Sequence, residues 1–180
     1  MPKIIEHLRC DLLRCARDIL QQEGYSALTM RRVAGSCNIA LGTIYNYFPS
    51  KEVLSACVML EDWQSALQQL HNRCAQASSS LQAMRLVYDC VADFSAIYRN
   101  VWDQYTVQSG LLPFIRSRHR TLIAQLEEEI EPVLERFDCL FYSGLPVFLA
   151  ETLLNSAVNP ETSFNDLIPI LQKLFARSGE

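Results

Sequence analysis

The chain has 180 residues, 49% of them hydrophobic and 20% charged, a balance that suits one or two packed domains and excludes a disordered polypeptide. Its net charge of −4 argues against a uniformly basic nucleic-acid binder, yet residues 1–52 carry seven Lys/Arg against five Asp/Glu, and the remainder nine against fifteen. Only the N-terminal third is electrostatically suited to phosphate.

In chain order, Ile5, Leu8, Leu12, Ala16, Ile19 and Leu20 recur at three- and four-residue steps, which predicts an amphipathic helix ending at Gly24. Thr29 is a natural N-cap for a second helix with Met30, Val33, Ala34 and Cys37 on its apolar side, and Asn38 tolerates the left-handed backbone of a tight turn. A third short helix is expected from about Ala40 to Tyr47, stopped by Pro49. Ser50 then caps a long helix with Val53, Cys57, Leu60, Trp63, Leu67, Leu70 and Cys74 as its apolar stripe, until Ser78-Ser79-Ser80. Further helices are expected from about Leu81 to Tyr98, from Val101 to Gln108, and from Ser117 to Phe137 with Pro132 as a kink point. The segment Pro146 to Val158 is apolar around most of its circumference, which predicts burial on nearly all sides. Ser163 with Asp166 forms a capping-box pattern before a last helix, whose stripe is Phe164, Leu167, Ile168, Leu171, Leu174 and Phe175 and which Pro169 should bend. No strand and no internal repeat is expected. The fold class is therefore all-α.

Two short helices joined by a three- or four-residue turn after an amphipathic first helix have the spacing of a helix-turn-helix. With Ile39, Ile44 and Phe48 turned to the core, Leu41, Gly42, Thr43, Tyr45, Asn46 and Tyr47 look outward. Tyrosine hydroxyls can donate to phosphate oxygens, and Gly42 permits close approach of backbone to a groove wall. Arg31, Arg32 and Lys51 flank this surface.

Thr29-Met30-Arg31-Arg32-Val33-Ala34, then Ile39, Gly42-Thr43-Ile44-Tyr45-Asn46-Tyr47-Phe48 and Ser50-Lys51-Glu52-Val53-Leu54 resemble the DNA-binding signature of the TetR family, and Gly24-Tyr25 fits as well. The resemblance covers roughly Leu12 to Leu54. It implies an all-helical chain of about nine helices, with a DNA-binding domain at 1–49 and an effector-binding and dimerisation domain at 50–180. It also implies a homodimer on double-stranded operator DNA, released by a small-molecule effector, with repression the expected sign. Carried over by position, Thr29, Tyr45, Tyr47 and Lys51 match phosphate contacts, and Arg31, Leu41, Gly42 and Thr43 match positions that reach base edges; Arg32, entering from the second helix beside Arg31, is a further DNA-binding candidate. The chain departs from the family where Asn38 replaces a frequent Gly, Ala40 a frequent Ser, and Leu41 a polar or basic residue. Leu41 cannot hydrogen-bond a base, but can touch a thymine methyl.

Trp63, Tyr88, Tyr98, Trp102, Tyr105 and His119 are candidate effector-pocket residues, for which core packing is the competing reading. Arg116, Arg118, His119 and Arg120 can hold an anion or simply balance Glu127-Glu128-Glu129. Phe148, Leu149, Leu153, Leu167, Leu171 and Leu174 are the expected dimer interface. The seven cysteines (Cys10, Cys15, Cys37, Cys57, Cys74, Cys90, Cys139) form no CxxC pair, so no metal is expected, and they suit a reducing cytoplasm. Cys10, Cys15 and Cys37 leave open a redox-responsive regulator. The dispersed His7, His71 and His119, with no Gly-rich phosphate loop, give no reason to expect catalysis or a cofactor. No apolar run reaches the roughly 18 residues of a membrane span, and Met1-Pro2-Lys3 is not followed by a signal-peptide core; a cytoplasmic protein is expected. A helical dimeric ligand-binding adaptor without DNA binding is the alternative from another functional class.

Overall fold

The computed structural model describes residues 7–107, 112–159 and 161–176; the side chains at 100, 102–107 and 112–118 lie outside that description. The described residues form eight α-helices and no strand: α1 Leu8–Glu23, α2 Met30–Ser36, α3 Leu41–Tyr45, α4 Lys51–Ala75, α5 Ser80–Val107, α6 Leu112–Arg136, α7 Leu145–Val158 and α8 Phe164–Phe175, with a 3-10 turn at Tyr25–Ala27. Eight rather than nine helices arise because the expected break near Arg99 is absent, and α5 runs on to Val107. Neither Gly nor Pro interrupts it there, so nothing removes a backbone hydrogen bond. No helix among the described residues is long and apolar enough to cross a membrane.

The chain divides into two compact units, residues 1–65 with 97–107, and residues 66–96 with 108–180. In the first unit, Leu12, Leu13, Ala16, Ile19 and Leu20 of α1 are buried together with Val33, Ala34, Ile44, Phe48 and Leu54. Each fully covered aliphatic side chain of this kind stabilises the fold by about 1.5–3 kcal/mol. Ionic contacts add direction: Arg17 Nε donates to Asp62 Oδ1 at 2.5 Å and Arg17 Nη2 to Glu61 at 3.1 Å, tying α1 to α4. The Tyr98 hydroxyl also donates to Asp62. Burial and the adjoining Asp62 carboxylate push the Tyr98 phenol well above its ordinary range, so it stays a donor.

The buried face of α4 differs from the expected stripe. Val53 and Leu60 are 41% and 42% exposed, whereas Leu54, Val58 and Met59 are covered along with Trp63, Leu70 and Cys74. Apolar residues occupy neighbouring positions around this helix, so a step of three or four can be started on either of two offset faces, and the covered one begins at Leu54.

In the second unit α6 packs on α7, and α7 on α8. Leu126, Ile130, Val133 and Leu134 of α6 are buried, as are Leu145, Leu149, Ala150, Leu153 and Leu154 of α7. α6 ends with Asp138 at φ 52°, the Cys139 N–H bonded to the Leu134 carbonyl at 2.7 Å and the Asp138 N–H to that of Glu135 at 3.1 Å, which is a Schellman closure without glycine. Arg136 donates to the carbonyls of Cys74, Ala75 and Ala77 at the end of α4, satisfying acceptors that a helix terminus leaves free. The Ser163–Asp166 capping box is present. Burial of α7 on nearly all sides is not observed: Phe148 remains 59% exposed and Val158 45%, because α6 and α8 cover only part of its circumference.

Candidate nucleic-acid interface

The helix-turn-helix is built by three backbone devices. Gly24, at φ 83°, ends α1 with its N–H on the Leu20 carbonyl, a conformation that side-chain-bearing residues rarely adopt. The Thr29 hydroxyl accepts from the Arg32 N–H at 3.1 Å and caps α2. At the far end of α2, Asn38 takes φ 52°, the Ile39 N–H reaches the Ala34 carbonyl at 3.0 Å and the Asn38 N–H that of Gly35 at 3.1 Å. This second Schellman closure turns the chain into α3. Ala40 stands at the N-cap of α3 without a side-chain hydrogen bond, where a Ser would add about 1 kcal/mol.

Ile44 and Phe48, 0% and 1% exposed, anchor α3 from beneath. That fixes the opposite side outward: Gly42, Tyr45 and Asn46 are exposed, and Leu41, Thr43 and Tyr47 half-buried. Ile39 is also half-buried rather than enclosed. A Cβ built on Gly42 would meet no atom of the chain within 4 Å, so internal packing does not require glycine there. Arg31 is exposed on α2 and makes no ion pair among the described residues.

Two of the cationic side chains are engaged within the chain. Arg32 forms a two-pronged pair with Glu23, one arm at 2.8 Å, and that hydrogen-bonded pairing, ahead of the charge itself, holds Glu23 below the ordinary carboxylate range. Lys51 Nζ donates to the Tyr25 carbonyl at 3.2 Å and lies 3.9 Å from the centre of the Tyr25 ring. The Tyr25 hydroxyl in turn meets Glu52 at 3.4 Å. Lys51 is thereby held at the start of α4, with its charge against Tyr25. The contributions of Glu23 and Tyr25 carry no sequence signal, since contacts nine and twenty-six residues apart follow no helical period.

Other candidate residues fall elsewhere. Trp63 and Tyr98 are buried in the first unit, while the half-buried Tyr88 and exposed His119 belong to the second. Tyr88 packs on Phe164 with ring centres 5.4 Å apart and directs its hydroxyl to the Thr162 carbonyl. The side chains of Trp102, Tyr105, Arg116 and Arg118 lie outside the described residues. Of the expected interface residues, Leu149, Leu153 and Leu171 are covered within the single chain, Leu167 and Leu174 are half-buried, and Phe148 is open, as is Ile170 at 62%.

Residues 12–56, from α1 into α4, match the model of bacterial regulatory proteins of the tetR family. The HTH-type transcriptional regulator UidR of Escherichia coli K12 is 37% identical over 59 residues, a stretch that is 33% of this chain and 30% of UidR. The chain thus spans less than a third of the curated relative it matches. Solved structures share the fold over nearly the whole length. A TetR-family regulator from Pectobacterium atrosepticum has TM-score 0.65 at 18% identity, covering 96% of this chain and 89% of that one. Salmonella enterica GusR has TM-score 0.61 at 17% identity, covering 98% and 97%. Bacillus subtilis FadR, solved in complex with stearoyl-CoA, has TM-score 0.59 at 19% identity, covering 94% and 92%. The motif and its turn geometry thus match the tetR family of bacterial regulatory proteins over residues 12–56, and the all-helical architecture is the fold of these solved structures.

Proposed function

We propose that the chain is a transcriptional repressor that binds operator DNA as a homodimer, with α3 in the major groove and a small-molecule effector releasing it. The observation that carries this reading is the outward side of α3 and its flanks: Thr43, Tyr45, Asn46 and Tyr47 face away from a sealed apolar anchor at Ile44 and Phe48, with the exposed Arg31 on α2 and the half-buried Lys51 at the start of α4. Hydroxyl and cationic groups so arranged suit phosphate on both sides of a groove, while Arg31, Leu41, Gly42 and Thr43 reach base edges. Thr29 serves as cap and as phosphate neighbour.

Dimerisation is assigned to α7 and α8. Phe148 and Ile170 expose large apolar side chains there, with the half-buried Leu167 and Leu174, and a symmetric pairing would remove them from water. The effector is a small, largely apolar molecule taken up C-terminal to Leu54, a reading supported by the fold shared with FadR, which was captured with stearoyl-CoA. Linkage requires that such a ligand bind the operator-bound form more weakly by the factor by which it lowers DNA affinity.

The test is selection of bound duplexes from a random pool with purified, reduced protein. A palindromic consensus is the expected result; absence of enrichment would instead favour a helical adaptor.

A further inference from the structure

Tyr25 is buried in the 3-10 turn between α1 and α2, and it meets the first turn of α4 in three ways. Its carbonyl accepts from Lys51 Nζ at 3.2 Å, its ring centre lies 3.9 Å from that same nitrogen, and its hydroxyl meets Glu52 Oε1 at 3.4 Å. The backbone that presents these groups is itself fixed. Gly24, at φ 83°, ends α1 with its N–H on the Leu20 carbonyl. The Leu28 N–H closes the turn on the Tyr25 carbonyl at 3.2 Å, which has lone pairs for both donors.

A cation in the first turn of a helix opposes the helix dipole, so Lys51 gains nothing from α4 for standing there. The two groups that hold its ammonium, a carbonyl and a ring face, are uncharged. They fix the nitrogen and leave its charge, with donors to spare, for a second partner. Arg32 shows the opposite arrangement: its guanidinium is forked onto the Glu23 carboxylate, so its charge is balanced inside the chain.

We propose that Tyr25 is a positioning residue for DNA binding: its ring and carbonyl hold the Lys51 ammonium in the place from which it meets a backbone phosphate, and they go on holding it when duplex is bound. The effect on DNA rests on the operator binding proposed above, whereas the hold on Lys51 can be measured in the free protein. Ordering a freely swinging lysine on a phosphate weakens binding by about two- to tenfold, and a lysine already held escapes most of that loss. A phosphate contact carries no base information, so the gain is the same on every sequence.

The test measures duplex affinity for Tyr25→Leu, Tyr25→Phe, Lys51→Ala and the double variant Tyr25→Leu/Lys51→Ala of the full-length chain, on a selected and a scrambled duplex, with urea midpoints as the check on folding. Tyr25→Leu, which removes the ring, should weaken both duplexes by about two- to tenfold. Tyr25→Phe, which keeps ring and carbonyl, should recover most of that loss. In the Lys51→Ala background, Tyr25→Leu should change affinity by less than about twofold, since no ammonium is left to hold. Equal losses in both backgrounds would make Tyr25 a packing residue, and tighter binding by Tyr25→Leu would show that the ring withholds Lys51 from DNA; either result overturns the proposal. Carbon-edited NMR of the Lys51 ε-methylene decides the geometry without relying on a variant that folds. The ring should hold its protons upfield of an ordinary lysine in the free wild-type protein, and still do so when the selected duplex is added. An ordinary shift in the free protein, or a return to it on binding, would overturn the proposal. If the upfield shift is present and no duplex is bound at low salt, the operator reading fails and Tyr25 positions nothing for DNA, while the shift still records the hold on Lys51.

Discussion

Two phenylalanines, one hundred residues apart, show how differently the two ends of this chain are completed. Phe48 is 1% exposed and closes the core under α3, whereas Phe148 is 59% exposed on α7. Around Phe48 the apolar residues Val33, Ala34 and Ile44 have internal places, and the polar and aromatic groups left outside, with Leu41, form a surface suited to another molecule. Around Phe148 the internal places are taken by Leu149 and Leu153, and Phe148 itself is left outside with Val158. The helix-turn-helix presents chemistry suited to a polyanion; the α7–α8 region keeps apolar surface that water does not favour. The lesson is that an all-round apolar helix does not identify its own partner, since part of it is covered by the chain and part stays exposed.

That contrast can be broken most strongly at Phe48. Phe48→Ala should cost about 3–5 kcal/mol of stability through cavity formation, read as a lowered midpoint in urea denaturation; a change within error would show that the core beneath α3 is not closed. Phe148→Arg should leave folding intact by circular dichroism yet shift the protein from dimer to monomer by light scattering. A stable dimer in that variant would place assembly on another surface. At the DNA-facing side, Arg31→Ala should change the preferred sequence by about 1–3 kcal/mol of discrimination. Lys51→Ala should weaken cognate and scrambled duplexes alike and reduce the salt slope by about one, and a shift in preference from Lys51→Ala would contradict its backbone role.

Smaller effects sharpen the comparison. Gly42→Ala should raise helix stability by up to about 1 kcal/mol, because its Cβ meets nothing in the chain, while lowering duplex affinity if the backbone approaches a groove wall. Equal or tighter DNA binding would remove Gly42 from the interface. Glu52 is held below its ordinary value of 4.5, first by its hydrogen bond with Ser50. A depressed carboxylate contributes stability that is fully present above the unfolded value and is lost as pH falls through the folded one. Glu52→Gln should therefore show a slightly flatter loss of stability below about pH 4.5 than the parent chain, and parallel acid profiles would show the contact to be inert.

Much of this was legible in the residues themselves. Thr29, Gly24 and Asn38 announced the devices that end and begin helices, because caps and left-handed turns demand particular residue types. Ile44 and Phe48 followed from the outward set on α3. Periodicity failed where apolar residues crowd a helix on adjacent faces: α4 buries Leu54 and Val58, and leaves Val53 and Leu60 open. It also misjudged Leu153, which is 0% exposed within one chain, so a charge placed there tests folding before assembly. α5 is continuous past Arg99 where two helices are expected, since neither Arg99 nor Asn100 is a residue that stops a helix. The Glu23–Arg32 and Lys51–Tyr25 contacts were hidden for a plainer reason, as they depend on how α1, α2 and α4 meet.

The central claim, that the outward side of this helix-turn-helix grips duplex DNA, is tested most directly by measuring affinity for a selected duplex as a function of salt. Each phosphate contact should contribute about −0.9 to the slope of log K against log salt. The account predicts a linear loss of affinity with a slope of several units for the reduced wild-type protein, shallower by about one in Lys51→Ala. Binding that is insensitive to salt, or undetectable at low salt, would contradict it.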